Sequence, residues 1–172
     1  LRHLQATKSD NIESIISIDG DDIFCAPEAI RAVYKVLKSK QDLVFTAGLP
    51  LGMNAWGYSV QLLDAAIGEN PQKSLDTGWA QIFKRFKREI IDIHCPGAEK
   101  VRATLDYEKD KLFFQQCVYL LKDKPKMSSS ELVQKILDAN FHLINSALGE
   151  DYWLNFNREQ KQQEFPRNEY KE

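Results

Sequence analysis

The chain has 172 residues, enough for one domain with its own core, and its 43% hydrophobic and 28% charged residues exclude wholesale disorder. A formal net charge of −2 gives no electrostatic reason to bind nucleic acid or an anionic membrane, and Lys84, Arg85, Lys87 and Arg88 read as a solvated helix face. Three cysteines without paired spacing, no apolar run near the ~20 residues of a membrane span and no signal peptide point to a soluble protein with reduced thiols in the cytoplasm.

The chain opens Leu-Arg-His in helical composition that runs to Lys8, a start that suggests a piece of something longer. Ser14 to Ile18 is a β-branched run, the signature of a buried strand, and it stops at Asp19-Gly20-Asp21-Asp22. Pro27 then suits a first helical residue, Glu28 the positive helix end, and Ile30, Val33, Tyr34 and Leu37 recur at helical spacing. Asp42 to Ala47 predicts a second strand, ended by Gly48, and Leu49 to Gly57 a loop. Ser59 suits the cap of a helix through Ile67 that Gly68 ends, and Thr77 the start of another with Trp79, Ile82, Phe83 and Phe86 on one face.

Glu89 to His94 predicts a third strand, with His94-Cys95 its buried end rather than half of a metal site. Val101 to Leu105 is extended and leads through Asp106 into a long amphipathic helix ending near Leu120, with Cys117 on its apolar face. Ser128 to Glu131 matches a capping box ahead of Leu132, Val133, Ile136 and Leu137. From Glu150 the composition turns polar. Residues 150–172 read as a C-terminal tail on an α/β domain of residues 1–149; Trp153, Leu154 and Phe156 are expected to dock, and the last dozen residues to be mobile. Strands alternating with helices predict a three-layer α/β/α fold around a mostly parallel, mixed sheet.

In open α/β sheets, ligands gather at the carboxyl ends of the strands. Asp19, Asp21 and Asp22 follow the first strand, and Asp106 follows the extended 101–105 segment. Carboxylates converging from two such ends suit magnesium, which is held by one or two carboxylates, waters and substrate phosphates. The same residues also suit a bland role, Asp106 as a helix cap and Asp21 and Asp22 as turn formers.

The run Ile15 to Pro27, Ile-Ile-Ser-Ile-Asp-Gly-Asp-Asp-Ile-Phe-Cys-Ala-Pro, resembles the strand-Gly-Asp segment of the cytidylyltransferases that activate acidic sugars. These comprise the acylneuraminate and 3-deoxy-manno-octulosonate enzymes and their spore-coat polysaccharide relatives. Arg102-Ala103-Thr104-Leu105-Asp106 with Asp110 resembles the family's Arg-x-Thr-x-Asp-x-x-x-Asp segment, and Pro50 to Ala55 its Pro-x-Gly-x-Asp-x segment. The resemblance spans about residues 1–121. It implies a nucleotide-diphospho-sugar-transferase-like fold lacking the first β-loop-α unit, and Asp21 and Asp106 as the magnesium-binding catalytic pair. Gly52, Asn54 and Trp56 would lie by the sugar, and Arg102 would pair with a substrate carboxylate or form a structural salt bridge to Asp106 or Asp110.

The implied reaction is transfer of a cytidylyl group from CTP to a sugar, forming a CMP-sugar for surface polysaccharide in the full-length parent. The chain alone is expected to be inactive, because the segment that holds the nucleotide is not matched. Family relatives also suggest a homodimer through residues 51–86, where Trp56, Tyr58 and Trp79 fall. The sequence departs from the family at Ile23, where the family has Pro, at Trp56, where it has Glu, at Glu108-Lys109, and at Leu75 to Trp79. Two alternatives follow: a degenerate member that binds a sugar nucleotide or a partner without chemistry, and a nucleotidyltransferase that uses another base.

Overall fold

In a computed structural model, which describes residues 6–7, 11–69, 78–122 and 126–164, the first β-branched run forms β1 (Ser14–Ser17). Helix α1 (Pro27–Lys38) begins on Pro27 and is followed by β2 (Leu43–Ala47), β3 (Trp56–Ser59) and α2 (Val60–Glu69). A 3-10 turn (Trp79–Phe83) leads to β4 (Glu89–Asp92). The helices α3 (Glu108–Leu121), α4 (Ser129–Asp138) and α5 (Leu148–Glu164) complete the chain.

The four strands form one mixed sheet in the order β1-β3-β2-β4. β3 runs antiparallel to both β1 and β2, while β2 and β4 are parallel, so β1, β2 and β4 point the same way. Sequence periodicity places residues 49–57 in a loop, yet the loop ends at Ala55 and Trp56 to Ser59 form the inner strand β3. Two glycine-free positions, Trp56 and Tyr58, alternate with Gly57 there, and a four-residue strand is too short for that alternation to stand out. The expected third strand also shortens: β4 ends at Asp92, and His94 is exposed while Cys95 is buried. β4 is a sheet edge, and its Glu89, Ile90 and Asp92 face solvent.

The period of two divides the core between the sheet's faces. Val44 and Ile16 join Ala29, Val33 and Leu37 of α1 with Phe113, Cys117, Val133 and Ile136 of α3 and α4. On the other face Leu43, Phe45, Trp56 and Tyr58 pack with Leu63 and Ala66 of α2 and with Trp79 and Phe83. The result is the expected three-layer arrangement. Gly57 lets α1 approach the sheet: a Cβ there would lie 2.8 Å from both Val33 Cγ1 and Leu37 Cδ1.

Local chemistry fixes the helix ends. Leu62 N donates to Ser59 Oγ at 3.1 Å, the expected cap, although α2 runs through Gly68 to Glu69. Ser128 and Glu131 form the capping box of α4, whose Ser129 N–H also reaches Glu28 Oε1 of α1 at 2.9 Å. The segment at Thr77 lies outside the described residues, and Trp79 to Phe83 adopt a 3-10 turn rather than an α-helix. The polar stretch from Glu150 is helical to Glu164, and most of the dozen terminal residues expected to be mobile lie outside the described residues.

Candidate active site

Two loops meet because the extended 101–105 segment threads between them. Arg102 bridges Leu51 in parallel fashion, Ala103 N donates to Leu51 O at 2.8 Å, and Leu105 N donates to Asp21 O at 3.1 Å. The approach demands Gly52, whose φ is +87° and whose Cβ would fall 2.1 Å from Ala103 O. A substituent there would meet backbone, which has nowhere to move. Asn54 is turned into the same loop. Its Nδ2 donates to the carbonyls of Leu49 and Pro50 at 3.0 and 3.2 Å, and its Oδ1 accepts from Thr46 Oγ1 at 3.2 Å.

This threading carries Asp106 to Asp21. Thr104 Oγ1 lies 3.3 Å from Asp21 Oδ2 and 3.1 Å from Asp106 Oδ2, so one hydroxyl proton serves two carboxylates. The Oδ1 atoms of both aspartates accept no hydrogen bond among the described residues.

Behind Asp106 lies a buried ion network. Arg102 pairs through Nη2 with Asp106 Oδ2, and its Nε donates to Asp110 Oδ1 at 3.2 Å. Asp110, fully buried, also accepts from the backbone N–H groups of Asp106 and Tyr107 at 3.0 Å each, and from Asn145 Nδ2 at 2.8 Å. Asp106 is therefore not the helix cap; Asp110 ties the entry to α3 from within its first turn. Arg102 Nη1 is buried without a hydrogen-bond acceptor among the described residues, but the Tyr152 ring centroid lies 4.6 Å and the Tyr107 centroid 5.6 Å from the guanidinium carbon. Aromatic faces at that range attract a guanidinium electrostatically.

A cleft of about 500 Å³ opens in front of this network. Its carboxylates are Asp19, Asp21, Asp106 and Glu159. Its aromatic walls are Phe45, Trp56 and Trp79 on one side and Tyr107, Tyr152 and Phe156 on the other. Trp56 stacks on Phe45 with ring centroids 5.2 Å apart and leans on Trp79 at 4.8 Å, which fixes it as a wall. Of the residues singled out in the sequence, Asp21, Asp106 and Trp56 line the cleft and Arg102 underlies it. Gly52 and Asn54 do not line it; they shape the loop that receives residues 101–105.

Crowded negative charge marks the site. Burial, then Asp21, Asp19 and Asp106, push the Asp22 carboxyl up to about 7. Burial and Asp21 also raise Asp19 above its ordinary value. Burial first, then Asp106 opposed in part by Arg102, pushes the Tyr152 hydroxyl up to about 12, so it stays protonated at neutral pH.

The donor set fits a hard divalent cation. Two carboxylates converge with outer oxygens open to a cleft, and their negative charge adds to burial in raising the neighbouring Asp22 carboxyl. Among the described residues no three His, Cys, Asp or Glu side chains form a closed metal cage. A cation here would complete its shell with water and substrate oxygens, which is how magnesium is ordinarily held.

Sequence reasoning missed the contribution of α5. Tyr152, Asn155, Phe156 and Glu159 all line the cleft, and their spacing of three, four and seven residues is one helix face. Asn155 Nδ2 donates to Tyr107 Oη at 3.2 Å and seats that face. Phe156 docks as expected, but Trp153 and Leu154 fall between the inward positions and are 49% and 70% exposed.

The mixed sheet, the helices on both faces and the position of the cleft define an α/β domain of nucleotidyltransferase-like fold. In structure the chain is similar to a cytidylyltransferase from Leptospira borgpetersenii serovar Hardjo-bovis (strain JB197), with a TM-score of 0.68 and 17% identity over 84% of this chain and 64% of that one. At that identity the likeness is one of fold. The chain thus spans a little under two thirds of the length of that structure. No family model and no curated protein matches the sequence. No described helix is long and apolar enough to cross a membrane.

Proposed function

We propose that this domain serves magnesium-dependent transfer of a cytidylyl group from CTP to a hydroxyl of a sugar. The observation that carries the reading is the meeting of Asp21 and Asp106 under one threonine hydroxyl at the mouth of an aromatic-walled cleft. The fold shared with a cytidylyltransferase and the motif resemblance around both aspartates support it.

Asp21 and Asp106 would hold the cation. When bound, magnesium supplies charge neutralisation of the phosphates and orients the attacking and leaving oxygens. The remaining work is positioning, on which nucleotidyl transfer chiefly depends. Thr104 fixes the two carboxylates relative to each other. Arg102, held by Asp110 and clamped by Tyr107 and Tyr152, fixes Asp106 from behind and restrains its movement. Trp56 offers a flat face for the acceptor, whose oxygen bonds to the α-phosphorus as the bond to pyrophosphate breaks; its proton leaves to water. This geometry favours the structural side of the two roles open to Arg102, since its guanidinium is already shared between two carboxylates.

The test is CTP-dependent pyrophosphate release in the protein that carries this chain, with Asp21→Asn and Asp106→Asn beside it. Loss of about a hundredfold or more in each variant supports the reading. Undiminished magnesium-dependent release in both would end it.

A further inference from the structure

Strand β4 turns one side of its backbone away from the sheet. It is the last strand in the order, and among the described residues no strand pairs with its outer edge. Its inner edge is taken by β2 from Glu89 to Asp92, and Ile93 N donates to Ala47 O at 2.8 Å. Backbone groups alternate in direction along a strand, so Glu89 and Ile91 turn theirs to β2 as Ile93 does. Ile90 and Asp92 turn theirs outward. Ile90 is also 55% exposed, so apolar surface and outward backbone coincide at one residue.

Charges on an edge strand ordinarily deter pairing with another chain. Their order decides whether they do so here. Arg88 stands two residues before Ile90 and Asp92 two after, all three exposed and on one face of the strand by the period of two. A second copy laid antiparallel, with Ile90 opposite Ile90, sets each Arg88 against the other copy's Asp92. Opposite charges placed directly across a strand pair attract. Every one of these positions belongs to the outward-turned set, as hydrogen-bonded pairs require. The registers on either side lose the match. Sliding one way sets Glu89 against Glu89, and sliding the other sets Asp92 against Ile90 and Arg88 against His94.

We propose that β4 is the contact through which two copies of this chain associate, joining their sheets across a twofold axis at Ile90. The surface differs from residues 51–86, whose Tyr58 is fully buried in this chain's own aromatic layer. It also stands apart from the cleft, so the contact is tested independently of the transferase reading.

The experiment is sedimentation equilibrium on the protein that carries this chain, at low and high salt. The wild type should show a reversible monomer–dimer equilibrium that weakens as salt rises. Arg88→Asp and Asp92→Arg each set like charges together twice across the axis, and each should weaken the dimer about tenfold. The double variant, R88D with D92R, exchanges the charges and should return the affinity to within about twofold of the wild type. Ile90→Pro removes an outward N–H and spares the ladder to β2, a place where an edge strand tolerates proline, and should abolish the dimer. Circular dichroism should be unchanged in all four variants. A wild type that stays monomeric at its highest soluble concentration overturns the proposal. So does a dimer that neither charge reversal weakens, one that the double variant fails to restore, or one that survives Ile90→Pro.

Discussion

Thr104 places its hydroxyl 3.3 Å from the Asp21 carboxylate across 83 residues of sequence. The neighbouring Leu105 N–H fastens the Asp21 backbone at 3.1 Å, so the contact is braced by the main chain rather than left to a side chain alone. The same hydroxyl reaches Asp106, which makes this threonine the joint between the two halves of the candidate metal site.

Replacing that joint gives a direct prediction. Thr104→Val keeps the volume and removes the hydroxyl, at a cost of about 1 kcal/mol for a lost hydrogen bond. Divalent cation affinity should fall about fivefold with circular dichroism unchanged. Isothermal titration with magnesium checks it, and an unaltered affinity would show that the threonine does not organise the pair.

The buried network behind the site should matter more for stability than for binding. Asp110→Ala leaves the Arg102 guanidinium, itself 6% exposed, without one of its two carboxylates. Breaking a buried pair from one side costs about 3–5 kcal/mol. Urea unfolding of the variant should show a loss of that size, together with exposure of the α3 entry that Asp110 holds.

Much of this arrangement was legible before the structure. The β-branched run before Asp19, Pro27 at a helix start and the Ser128–Glu131 box are local signals, and local signals survive folding. β3 was hidden because its alternation occupies four residues beside a glycine-rich loop, and its pairing with β1 and β2 is long-range. Asp21 and Asp106 could be singled out, but their meeting depends on residues 101–105 crossing Gly52, a backbone contact that no periodicity encodes. The role of α5 was obscured by composition: Tyr152, Asn155, Phe156 and Glu159 are mostly polar or amphipathic, so a cleft wall resembled a tail.

Acid should stabilise this fold locally. The Asp22 carboxyl rises from an ordinary value of 3.8 to about 7, so the folded state binds a proton more tightly than the unfolded chain. Its contribution is fully present below about 4 and is lost as pH climbs through about 7. Asp19 is raised in the same direction. Melting temperatures of the metal-free protein should therefore fall across that window, and Asp22→Asn should flatten the fall. A wild-type profile that rises from 4 to 7 as steeply as the variant's would contradict the assignment.

Gly57 supports the fold rather than the chemistry. Gly57→Ala forces a methyl to 2.7 Å from Ile15 O and 2.8 Å from Val33 and Leu37 of α1. Overpacking of this kind costs about 1–3 kcal/mol. Thermal unfolding should report that loss while the cleft aromatics, on the opposite face of β3, keep their near-ultraviolet signal.

The thiols should be slow to react in the folded state. Burial pushes Cys117 up to about 12, and burial with Asp22 pushes Cys25 up to about 11, so little thiolate is present at neutral pH. Alkylation by iodoacetamide followed by mass spectrometry should label both only on addition of denaturant. Rapid native labelling of Cys117 would indicate that α3 opens readily.

The central claim is that Asp21 and Asp106 together hold a divalent cation, and manganese titration followed by electron paramagnetic resonance tests it most directly. The account predicts one site in the wild-type chain, lost in both Asp21→Asn and Asp106→Asn while circular dichroism stays unchanged. Manganese bound with undiminished affinity by both variants would contradict it.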